Sequence, residues 1–162
     1  MSTFSARIGP VGTTRWLDDE QQAAWRGWLD VHTQLSARLG RELQATSGLS
    51  LSDYEILVAL TDEDVPEHSL RMFELGERLQ WEKSRVSKQV SRMEARGLVE
   101  RRHCADDRRG AFVDLTDAGL AAIAAAAPGH VELVREIFFG YLDEQQVKDL
   151  AAFTAAVLDR LA

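Results

Sequence analysis

The sequence predicts a mainly α protein with one small β-hairpin, and three observations carry that prediction. Apolar residues recur at three- and four-residue steps near both ends of the chain, the spacing that lines one side of a helix. Two short strand-like runs, 98–104 and 111–115, flank the polar tip Ala105-Asp106-Asp107-Arg108-Arg109-Gly110, which reads as a hairpin. With 162 residues, 45% of them apolar, the chain has enough material for one domain whose core needs neither disulfides nor metal.

The elements follow in order. Residues 1–15, with Gly9, Pro10 and Gly12 and no apolar period, read as a mobile tail. From Trp16 onward, Trp25, Trp28, Leu29, His32, Leu35, Leu39 and Leu43 share one side of a long helix that ends before Gly48. Ser52 with Glu55 has the capping-box spacing just ahead of Ile56, Leu57 and Leu60, so a short helix is expected to run from there to about residue 61. After a loop around Pro66, Phe73, Leu75 and Leu79 mark a second short helix. The helix from Ser84 to Arg96 has two unlike faces: Val86, Val90 and Met93 fall together, while Ser84, Arg85, Lys88, Ser91 and Arg92 cluster opposite them. Gly97 ends it. Beyond the hairpin, Thr116 can cap an alanine-rich helix that Pro128-Gly129 is expected to bend or interrupt. Asp143 opens a last helix with the stripe Val147, Leu150, Phe153, Val157, Leu158 and Leu161. Neither chain end is long enough to bury such stripes alone, so both are expected to pack together and against a second subunit, as a homodimer.

Charge narrows the function. The chain carries a formal net charge of -7, yet residues 78–109 hold ten Lys/Arg against five acids, a local +5 that leaves -12 on the rest. A basic block within an acidic body is the asymmetry of a localised polyanion contact, with the remainder held off the phosphates. No apolar run is long enough to span a membrane and no secretory leader is evident, so a cytoplasmic protein is expected. There is no Gly-rich phosphate loop, metal-ligand spacing or nucleophile-base motif, so neither an enzyme nor a cofactor is expected.

Helix, short connection, helix and hairpin, with cations on the second helix, is the layout of a winged helix-turn-helix. The particular residues are Leu75-Gly76-Glu77-Arg78-Leu79, Ser84-Arg85-Val86-Ser87-Lys88-Gln89-Val90, Glu94-Ala95-Arg96-Gly97-Leu98-Val99-Glu100-Arg101, Asp107-Arg108-Arg109-Gly110 and Leu115-Thr116-Asp117-Ala118-Gly119. In that order they resemble the MarR family of transcription regulators. The resemblance implies a DNA-binding lobe over 49–116, flanked by dimerisation helices at 16–48 and 117–162. It also implies a double-stranded operator of pseudo-palindromic form, bound to repress transcription. The helix from Ser84 would be the recognition helix, with Arg85, Ser87, Lys88, Ser91 and Arg92 in its contact zone. Asp107, Arg108 and Arg109 would form the wing tip, the aspartate steadying the Arg109 guanidinium in the minor groove. One departure is Glu82, which stands where the family often has a Ser or Thr cap.

Other residues admit two readings each. Trp16, Trp25 and Trp28 fit core or dimer packing, but Trp25, Trp28, His32, Tyr54 and Trp81 are also the candidate lining for a small aromatic or lipophilic effector, a ligand class the resemblance implies. Cys104, the one cysteine, is either a small buried strand residue or, beside His103, the thiol of a redox-sensing regulator. A winged-helix protein-interaction module, its basic face meeting an acidic partner, is the rival to DNA binding.

Overall fold

The computed structural model describes residues 14–103 and 111–161. Cys104, Asp107, Arg108, Arg109 and nearly all of the expected tail lie outside the described residues. Helix α1 (Asp19–Ser47) starts three residues beyond Trp16, because Asp18 caps it by accepting the Gln21 N–H at 2.8 Å while the Gln21 side chain accepts the Asp18 N–H. It ends where Gly48 turns left-handed at φ 67°.

Helix α2 (Leu51–Thr61) corrects one expectation. Its capping box is Ser50 with Asp53, not Ser52 with Glu55. Both pairs have the right spacing, and the upstream pair prevails because the Asp53 carboxylate also receives donors from Gln89 and Arg96, far along the chain. Ile56, Leu57 and Leu60 of α2 are completely buried at the centre of the core.

A single 3-10 turn, Pro66–His68, leads into β1 (Ser69–Arg71), a strand the sequence did not announce. Helices α3 (Met72–Leu79) and α4 (Lys83–Glu94) follow, then β2 (Val99–His103) and β3 (Ala111–Leu115). The sheet is antiparallel in the order β1-β3-β2, with Leu70 and Arg101 both facing Val113 across β3. It joins the hairpin to the helices through Leu70, Val99 and Val113, all in the same buried cluster as Leu57, Leu75, Val86, Val90 and Met93.

Helix α5 (Asp117–Val134) starts at Thr116, whose hydroxyl accepts the Gly119 N–H at 3.0 Å. Pro128 does not interrupt it. Proline gives up one backbone hydrogen bond and crowds the carbonyl four residues back, but its fixed φ suits a helix, and α5 continues through it. The winding changes only at Arg135–Phe139, a π turn. Helix α6 (Glu144–Leu158) is capped by Asp143, as expected. Helix α1 packs on α5, and α2 packs on α3, α4 and α5. No residue of α6 is buried, and it packs substantially on no other element among the described residues.

Candidate nucleic-acid interface

Helix α4 is set by its apolar face. Val86, Val90 and Met93 are at most 1% exposed, which turns the opposite side to solvent. Ser84, Arg85, Lys88, Ser91 and Arg92 are exposed there, with Ser87 half-buried at the margin. The helix begins without a side-chain cap from Glu82, so its first N–H groups stay open to an acceptor at the positive end of the helix.

The turn before α4 is tight. Gln80 adopts φ 54°, and the Trp81 N–H donates to the Gly76 carbonyl at 2.8 Å. A Cβ on Gly76 would come within 3.2 Å of the Trp81 carbonyl oxygen, so a glycine lets α3 and the turn approach. The Trp81 ring then lies under the Arg85 guanidinium, 3.8 Å from its centroid. Behind it, burial raises the Glu55 carboxyl above the usual range, with the Arg85 charge pulling it back down.

The basic block divides between two jobs. Four arginines bond to acids or main-chain carbonyls within the chain, and a fifth, Arg92, donates to the Gln89 side-chain oxygen while keeping to the exposed side of α4. Arg78 bridges Asp62 at 2.7 Å and Asp64 at 2.5 Å. Arg96 pairs with Asp53 at 2.7 Å and donates to the Gly48 carbonyl. Arg101 donates to the Ser87 carbonyl at 2.9 Å and to the Ser91 hydroxyl, which ties β2 to the middle of α4. Arg102 pairs with Asp114 at 2.8 Å and lies over Phe112. Lys83, Arg85, Lys88 and Arg92 remain as the outward cations, and neither lysine has a side-chain partner among the described residues.

The five residues named for an effector do not converge within one chain. Trp25, Trp28 and His32 are exposed along α1, the two tryptophans at 54% and 45%. Tyr54 is buried on α2 and stacks on His130 of α5, centroids 4.4 Å apart. Trp81 instead lines a concavity of about 600 Å³ with Met72, Phe73, Gly76 and Ala111. Sequence reasoning also passed over Asp53, Gln89, Arg96 and Arg101. The legible signal was Gln89, a polar residue on the packing face of α4 that must find a buried partner.

An outward cationic helix, preceded by a tight turn and followed by two strands that pair with an upstream third, defines a winged helix-turn-helix regulator. The family model described as the MarR family matches residues 47–110. The chain is 39% identical to AbsC, a MarR family transcriptional regulator from Streptomyces coelicolor, with 91% of this chain and 98% of that one covered and a TM-score of 0.83. It is 38% identical to Sco3205, another regulator of the family from the same organism, whose structure is a complex with DNA; 92% of each chain is covered, with a TM-score of 0.85. The HTH-type transcriptional repressor YetL of Bacillus subtilis is 30% identical over 102 residues, which span 63% of this chain and 60% of YetL. The chain belongs to the MarR family of transcriptional regulators. Among the described residues, no helix is long and apolar enough to cross a membrane, and no group of three His, Cys, Asp or Glu is placed to hold a metal ion.

Proposed function

We propose that the protein represses transcription by binding a pseudo-palindromic operator as a homodimer, each copy laying α4 in a major groove about one DNA turn from the other. The observation that carries this reading is the row Lys83, Arg85, Lys88 and Arg92 on the exposed side of α4, while the neighbouring arginines are occupied inside the chain. The DNA complex of Sco3205 and the repressor YetL support it. Homodimerisation is supported by α6, whose apolar stripe is left largely exposed by the described residues of its own chain.

In this reading residues 16–48 and 117–162 form the dimer body and 49–116 the DNA lobe. Residues 107–110 extend the contact into the minor groove through Arg109, a role that rests on the family resemblance. Release by a small aromatic or lipophilic effector, through a changed spacing of the two recognition helices, rests on the same ground. An operator-binding role carries with it a cytoplasmic location.

The test is binding of the full chain to the duplex upstream of its own coding region across a salt series. Sequence-preferring binding that weakens steeply with salt is expected. Equally weak binding to every duplex would remove the operator from this reading.

A further inference from the structure

Gln89 sits on the core side of α4 and is 3% exposed, and Asp53 beneath it on α2 is 2% exposed. The Gln89 amide nitrogen donates to Asp53 Oδ1 at 2.6 Å, and the Gln89 amide oxygen accepts from the Arg92 guanidinium. The other Asp53 oxygen accepts the Ser50 N–H at 2.8 Å and Arg96 at 2.7 Å.

Polarity makes this chain directional. An ionised carboxylate can only accept, so Asp53 requires the nitrogen end of the Gln89 amide to face it. The oxygen end must then face Arg92, which supplies donors only. Burial would raise the Asp53 carboxyl, but the Ser50 N–H and the Arg96 guanidinium more than offset it and hold the group below the usual carboxylate range. The charge that orders the chain is therefore present at neutral pH.

We infer that Asp53 and Gln89 are positioning residues for DNA recognition, holding the Arg92 guanidinium in one orientation on the groove-facing side of α4. This rests on the DNA-binding reading above. A fixed guanidinium loses less conformational freedom when it meets a phosphate or a base edge, and it presents its donors in one geometry. Asp53→Asn keeps the shape but can donate as well as accept, which frees the Gln89 amide to flip and leaves Arg92 without its acceptor. Gln89→Met removes the relay while leaving the pair between Asp53 and Arg96 intact.

The experiment is a double-mutant cycle on the full chain, with the duplex that the wild-type protein selects from a randomised library as the probe. Arg92→Ala, Asp53→Asn and Gln89→Met are each expected to weaken binding roughly tenfold. In the Arg92→Ala background, Asp53→Asn and Gln89→Met are expected to add less than about twofold, because their route to the DNA is already gone. Effects that multiply in full would make Asp53 and Gln89 merely structural and overturn the inference, as would an Arg92→Ala protein that binds like wild type. In the latter case, loss of binding in Lys88→Ala would leave the operator reading standing. Failure of the wild-type protein to select any duplex would instead bring down both. Gln89→Met carries the cycle if Asp53→Asn does not fold.

Discussion

The Arg85 guanidinium stacks on the Trp81 ring at 3.8 Å from its centroid, so the turn of the helix-turn-helix supplies the platform for a cation of the next helix. Stacking on an indole face holds the guanidinium without consuming its in-plane donors. Trp81→Ala should therefore weaken binding to the selected duplex by about threefold to tenfold. Trp81→Phe, which keeps an aromatic face, should stay within about twofold of wild type. Fluorescence anisotropy titrations at one salt concentration decide it, and equal losses in the two variants would remove the platform role.

Gly119 should tolerate no side chain. A Cβ there would lie 2.1 Å from the Leu98 carbonyl oxygen and 2.7 Å from Leu115 Cδ1, and the oxygen belongs to backbone that cannot swing aside. Gly119→Ala is expected to cost about 3 kcal/mol of folding stability or more, despite alanine's better helix propensity. The midpoint of urea unfolding is the measurement, and an unchanged midpoint would contradict the close approach.

Stability should depend on the His130 ring. Its burial against Tyr54 lowers its pKa below the usual histidine value, and its buried Nδ1 has no hydrogen-bond partner among the described residues. The unfolded chain takes up a proton as pH falls through about 6.5 while the folded chain resists it, so stability is lost as pH drops from there through the depressed folded value. Urea unfolding of wild type should show this decline, and His130→Phe should flatten it. A variant with the same slope as wild type would assign the decline to other groups.

Removing α6 should abolish the proposed dimer. A chain ending after Tyr141 loses Val147, Phe153, Val157 and Leu158, all exposed in the single chain at 37% to 65%. Sedimentation equilibrium should then report monomers or aggregates in place of a discrete dimer. A soluble dimer from the shortened chain would move the interface elsewhere.

Long-period features were readable from sequence, and long-range ones were not. The α1 stripe, the two faces of α4 and the hairpin follow from local periodicity. Strand β1 is three residues long and exists through its pairing with β3, some forty residues away, which no local pattern can report. Ser50 and Ser52 offered equal caps until Gln89 of α4 and Arg96 just beyond it settled the matter. The ten cations were readable as a block, but which of them face outward depends on Asp53, Asp62, Asp64 and Asp114, acids that lie outside any helical spacing from their partners. Of the two outcomes expected at Pro128, bend or interruption, interruption does not occur, because packing of α5 on α1 and α2 holds the helix through the proline.

Strand β1 has a mechanical meaning. Ser69 donates to Asp114, which also holds Arg102, so all three strands are pinned side chain to side chain as well as through their ladders. Because β1 runs directly into α3, the chain itself ties the three paired strands to the helix-turn-helix. In the dimeric reading proposed above, a shift of the helical body would therefore reach the strands and α3 together instead of one strand at a time.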